Sequence, residues 1–199
     1  LHIKSLGENV ALVDLDIINM YFRIREQEEF LKEHGVNVYS TIMKVTSLDI
    51  PALDPAIDAV LRDKNTRVIV DVGGNPSGAR ALGRYEPTLR EMGYDQVFVV
   101  NANRPETESP DQIIKFMEAT QAQSQTFVNG LINTSHLLKA TTVDDILRGS
   151  ELIKEVSKQT GLPILTNVAK RELVDELKEK APELDVFPVD LLFRSNWML

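Results

Sequence analysis

Short apolar, β-branched runs alternate along the chain with longer stretches whose apolar residues recur at helical spacing. "VALVD" (10–14) predicts a strand buried on both faces. Residues 18–34 predict a largely helical stretch, with Gly35 placed to stop it. "VNVYS" (36–40) predicts a short strand, and 51–63 a helix opened by Pro51 or Pro55. "RVIVDV" (67–72) predicts a second fully buried strand, followed by a helix over 77–92 that Gly93 ends. "QVFVVNA" (96–102) predicts a third strand. Ser109 then caps a helix, with Pro110 at its first position and Gln112 completing a capping box. "TFVNGLIN" (126–133) is the fourth strand, 142–160 a long helix stopped by Gly161, and "LPILTNV" (162–168) the fifth strand. A helix over 170–180 follows, and "LDVFPVDLLF" (184–193) adds an edge strand on which Pro188 is tolerable.

Strands that alternate with helices predict an α/β fold, a mainly parallel sheet with helices on both faces, in a single domain over 1–199. Ligands of such sheets lie beyond the carboxyl ends of the strands. The residues there are polar: Asp14 and Asp16 after the first strand, Asp71 and "GGNPSG" (73–78) after the second, "NANRPET" (101–107) after the third, "NTSH" (133–136) after the fourth. Loops are polar in any protein, but a carboxylate at the end of a buried strand needs a cation or donors beside it.

Composition narrows the partners. The chain is 43% hydrophobic and 26% charged, with formal charge −8 and dispersed Lys and Arg, a surface from which nucleic acid would gain little. No apolar run approaches the roughly 20 residues of a membrane span. Absence of cysteine removes disulfides and thiolate metal sites and fits the cytoplasm. His2, His34 and His136 form no metal cluster by spacing, and no G-x-S-x-G or Ser/His/Asp order stands out.

A divalent cation answers the need of the acids. Mg²⁺ is hard and is often held by one or two carboxylates plus substrate phosphates. Asp71 closes the hydrophobic run Val68-Ile69-Val70 and is read as the acid of the Walker B pattern, on which it holds a Mg²⁺ water. Asp71-Val72-Gly73-Gly74 fits D-x-x-G, in which a glycine N–H meets a terminal phosphate; a turn is the other reading of Gly73 and Gly74, and the better one for Gly78.

"ENVALVDLDI", "RVIVDVGG" and "VNGLINTSH…LPIL" together resemble the MinD/ParA group of P-loop ATPases, which includes Mrp-type proteins, the nitrogenase iron protein and the cobyrinic acid synthase ATPase domains. The resemblance runs over most of the chain. It implies a three-layer P-loop fold that binds Mg²⁺ and ATP, with Asp14 near the metal, Asp16 orienting or activating the attacking water, and Asp71 as the Walker B acid. Asn133 is the nearest match to a residue set against adenine; its other reading is a strand-end Asn bonded to its own turn. The N-K-x-D of guanine-binding relatives is not met, because Asn101 to Arg104 lacks the Asp. A homodimer is the implied partner state.

One family element has no counterpart. None of the ten glycines is followed by Lys, so G-x-x-x-x-G-K-[ST] is not matched. The resemblance places that loop before residue 1, and "LHIKSLGEN" reads as the end of the helix leading from it. The expectation is a chain without the family's first strand and phosphate loop, with two strands facing an empty slot, that does not hydrolyse ATP by itself. "YFRIREQEE" (21–29) offers Arg23 and Arg25 as phosphate contacts or is a solvated face; Trp197 is exposed, packed or at a dimer contact. The tail lacks the basic amphipathic pattern of membrane-binding relatives. Two other functions stay open: an ATP-dependent ligase or synthase of the cobyrinic acid or dethiobiotin type, and a non-catalytic interaction module.

Overall fold

The computed structural model describes residues 1–16, 24–40 and 55–191. Pro51, Arg23 and Trp197 lie outside the described residues, as does the side chain of Arg25. The architecture is α/β, with two all-parallel sheets. The chain divides into two compact units, Leu1–Tyr94 with Ala122–Thr126, and Asp95–Gln121 with Phe127–Leu199.

In the first unit α1 (His2–Ser5) leads to β1 (Val10–Asp14). A 3₁₀ turn (Ile24–Gln27) and α2 (Glu28–Glu33) follow, then β2 (Asn37–Ser40), α3 (Pro55–Leu61) and β3 (Arg67–Asp71). The sheet order is β2-β1-β3. The chain moves one way from β1 to β2, then back past β1 to β3, so right-handed crossovers place α2 and α3 on opposite faces. The apolar clusters agree. Val10, Leu31 and Val36 pack on one face; Ala11, Val13 and Leu15 meet Ile57, Leu61 and Leu82 on the other.

β3 departs from expectation. Its alternate residues Arg67 and Ile69 are exposed, Ile69 by 38%. The cause is position: among the described residues β3 bonds to β1 alone, so it is an edge strand and not a strand enclosed on all sides.

The helix expected over 77–92 is two helices, α4 (Pro76–Gly83) and α5 (Glu86–Met92). Pro87, in the first turn of α5, explains the break. Inside a continuous helix it would offer no N–H to the Gly83 carbonyl, and its ring would clash there. Gly93 ends α5 at φ +77°.

In the second unit β4 (Val97–Val100), all but the last three residues of α6 (Pro110–Ser124), β5 (Gly130–Asn133), α7 (Val143–Thr160), β6 (Ile164–Lys170), α8 (Val174–Lys180) and β7 (Val186–Val189) alternate. The order β4-β5-β6-β7 runs in one direction, so right-handed crossovers stack the helices on one face. Phe98, Val100 and Leu131 meet Ile113, Met117 and Ile153 there. Val99, at 57% exposed, faces the opposite way, between buried Phe98 and Val100. β7 carries Pro188 at the sheet edge, as its missing N–H requires.

Ser109 caps α6 as expected: its hydroxyl accepts from the Gln112 N–H at 3.4 Å. The Gln112 side chain returns to the Ser109 hydroxyl, from which its Oε1 accepts at 2.6 Å, and its Nε2 donates to the Pro105 carbonyl. The full capping box sits on α7, where the Thr142 hydroxyl accepts from the Asp145 N–H and the Asp145 carboxylate accepts from the Thr142 N–H. Thr142→Ala removes one side of that exchange. It is expected to cost about 1 kcal/mol, read as a lower urea midpoint at unchanged slope. Gly161 closes the helix in the left-handed region at φ +74°. Among the described residues no helix is long and apolar enough to cross a membrane.

Candidate functional site

The acids gather at the carboxyl edge of the first sheet. Parallel pairing of β1 on β3 runs in register from Val10 opposite Arg67 to Asp14 opposite Asp71. The ladder continues one step further, where the Leu15 N–H donates to the Asp71 carbonyl at 2.9 Å. In-register neighbours on parallel strands point to the same face about 4.8 Å apart. Two acids remote in sequence therefore become neighbours. Asp14 is fully buried, and its carboxylate accepts from the Asp16 N–H at 3.1 Å, which turns the chain directly after the strand.

Asp16 lies over the glycine loop. A Cβ built on Gly73 would fall 3.2 Å from Asp16 Oδ1 and 2.9 Å from the Gly78 Cα. The Gly73 and Gly78 backbones are thus in direct contact, a close approach that only glycine allows. Gly74 has open space around it. Asn75 caps α4, its side chain accepting from the Gly78 N–H at 2.7 Å. The loop is a packed turn, and it also brings a backbone up to Asp16.

The electrostatics of this cluster are unfavourable as it stands. Asp71 is pushed up to about 6, first because burial strips water from its carboxylate, then because Asp14 and Asp16 add negative charge. A hard divalent cation relieves that repulsion, so the donor set fits Mg²⁺. Among the described residues no group of three or more His, Cys, Asp or Glu is placed to hold a metal ion by itself. Mg²⁺ held by one or two carboxylates and substrate phosphates needs no such group.

The second unit carries a small pocket at the carboxyl ends of β5, β6 and β7. Thr134, Ser135 and His136 line one side, Val168 and Lys170 another, and Leu191 a third. Its volume is about 90 Å³. That is well below the roughly 300–1,000 Å³ of drug-sized ligand sites. Lys170 leans on Glu172, with Nζ 2.6 Å from the carboxylate.

Asn133, the residue matched to adenine contact, does not line this pocket and is fully buried. Its Nδ2 donates to the Ile146 carbonyl at 2.9 Å and to Asn167 Oδ1 at 3.0 Å, and its Oδ1 accepts from the Ser135 N–H at 3.0 Å. The bond to its own turn is present. Lys170 and Asn167 were not singled out in the sequence, since Lys170 falls in an expected helix and Asn167 in an expected strand. An amide inside the mostly apolar "LPILTNV" was the available signal. No protein-family model and no curated protein matches this chain.

Proposed function

We propose that the chain is the nucleotide-binding domain of a MinD/ParA-like P-loop ATPase and serves Mg·ATP binding and hydrolysis. The observation that carries this reading is the register of β1 on β3, which sets Asp14 beside Asp71 with Asp16 over Gly73. The family places its first strand beside the Walker B strand, and β3 has that side free among the described residues. The likeness is one of fold and motif, and the chemistry rests on the acids themselves.

On this reading Asp71 and Asp14 would hold Mg²⁺, whose charge would offset that of the phosphates. Asp16 orients the attacking water and accepts its proton. The Gly73 N–H donates to the terminal phosphate. Catalysis is positioning plus electrostatics, with no covalent work for the protein. The homodimer belongs to the same proposal.

Calorimetric titration of ATP, with and without Mg²⁺, into the protein of the natural reading frame tests it. Saturable binding that needs Mg²⁺, with hydrolysis lost in Asp16→Asn and binding kept, is the expected result. No binding, or binding indifferent to Mg²⁺, overturns the reading.

A further inference from the structure

The helices of the second unit cover one face of its sheet, where Phe98, Val100, Leu131 and Ala169 meet them. Alternation turns the residues between these to the other face: Val99 paired with Ile132, and Val168 paired with Phe187. β6 reaches that face through an irregularity. Leu131 pairs with Ile164 and Ile132 with Thr166, so Leu165 is the extra residue of a bulge. Its side chain lies over Gly130, where a Cβ would fall 2.7 Å from Leu165 Cδ1. Leu165 is 46% exposed, and Val99 and Phe187 are exposed with it. None of these positions carries a charge.

An apolar patch of this kind is a contact surface. Size argues against a second copy as its cover. Strands in the order β4-β5-β6-β7, about 4.8 Å apart and some four residues deep, make a face of about 14 Å by 13 Å. Even doubled for side-chain relief, two such faces bury about 700 Å² in all, short of the roughly 1,200 Å² at which specific interfaces begin. The chain itself supplies a better fit. Residues 192–199, "LFRSNWML", follow on the carboxyl end of β7, and the second unit runs to Leu199. Leu192, Phe193, Trp197, Met198 and Leu199 are large and apolar, and Arg194 alone is charged. Leu165 stands five positions before Lys170, which pairs with Val189 at the end of β7. It is therefore about 17 Å from that end, one strand across. Trp197 is eight residues beyond Val189, a reach of up to about 26 Å, which leaves length for the chain to reverse. A cover from the same chain also loses no translational freedom on docking.

We propose that residues 192–199 fold back over the open face of the second unit and seat Trp197 on Leu165. The occupant is this chain, so the face is a closed part of the core and not a docking site for another protein. Trp197 is thereby assigned to packing within one chain and not to a dimer contact. The bulge and Gly130 serve the same contact: with no side chain at 130, Leu165 lies flat on the sheet and offers an apolar seat to the indole ring. Nucleotide has no part in it.

Tryptophan fluorescence of the protein of the natural reading frame tests this, with the Trp197 signal taken as the difference from a Trp197→Phe variant. In the folded protein Trp197 is expected to emit to the blue of the urea-unfolded protein and to be quenched far less by acrylamide. Leu165→Asn should shift that emission to the red and raise the quenching, with the far-ultraviolet circular dichroism unchanged. Leu6→Asn, at an exposed leucine of the first unit, should do neither. A Trp197 as open to acrylamide in the folded protein as in urea would overturn the proposal. So would a folded Leu165→Asn protein with the parent emission, which would put the indole elsewhere. Emission that reddens on dilution, with a matching fall of mass in light scattering, would make a second copy the occupant and overturn it too. Should Leu165→Asn fail to fold, Leu165→Ala carries the same comparison.

Discussion

Asp71→Asn is expected to stabilise the ligand-free protein near neutral pH while removing Mg²⁺-dependent nucleotide binding. The first effect follows from the Asp71 carboxyl, raised from 3.8 to about 6 by burial and by Asp14 and Asp16. Between those values the folded state binds more protons than the unfolded state. Unfolding free energy therefore falls as pH rises through that window and stays low above it. The full displacement corresponds to at most about 3 kcal/mol. Asp71 retains some exposure, and solvent screening reduces this to about 1–2 kcal/mol. Asparagine keeps the shape and drops the charge. Each 1 kcal/mol moves the melting temperature of a chain of this length by about 2–4 °C.

Thermal melts of both proteins from pH 4 to 7.5 should show a gap that is nearly closed at the acid end and widens through pH 6. A gap of constant size would trace the effect to packing and not to ionisation. Mg·ATP should raise the melting temperature of the unaltered protein and leave the variant unmoved. On the proposed function, stability and ligand binding are expected to pull in opposite directions at this residue.

Gly149→Ala is expected to destabilise by about 2 kcal/mol or more, although alanine is the better helix former by about 1 kcal/mol. Gly149 lies inside α7, buried against the end of β5. A Cβ there would fall 2.1 Å from Ser135 Oγ and 2.4 Å from Asn133 Oδ1. Neither atom is free to yield: the first accepts from the Ala102 N–H and the second from the Ser135 N–H. The methyl group must push α7 outward or break the buried amide network, and either is costly in a close-packed interior. Urea denaturation measures the loss. The added substitution Ser135→Gly should recover part of it, since the nearer clash disappears and the Asn133 clash remains. A Gly149→Ala protein as stable as the parent would show that the helix has room to shift.

The two substitutions mark the limits of what the sequence discloses. The acids were legible: a buried strand ending in Asp14 is a pattern along the chain, and β1 has the bounds the sequence predicts. Gly149 carried no such signal, since a glycine within a helical pattern does not say what it touches. The break at Pro87 was written in the sequence, yet the apolar periodicity across it predicts one helix; ring geometry at Pro87 prevails over periodicity. The exposure of β3 was not legible in its own residues, because a run of β-branched residues reads alike in a central and an edge strand; only the resemblance, which leaves a slot empty beside that strand, pointed to an unpaired side.

The sequence alone determined the local elements: strands from β-branched runs, α7 from Thr142 to Gly161 through its caps, and a polar residue at almost every strand end. These depend on neighbours a few positions away, which a linear pattern contains. Only the tertiary structure decided that Asp14 meets Asp71 and not another acid, that Asp16 lies over Gly73, and that Asn133 faces Asn167 and α7. Each of these pairings is set by strand order and register. Those in turn are fixed by which faces the crossover helices bury, a choice made by the whole chain at once.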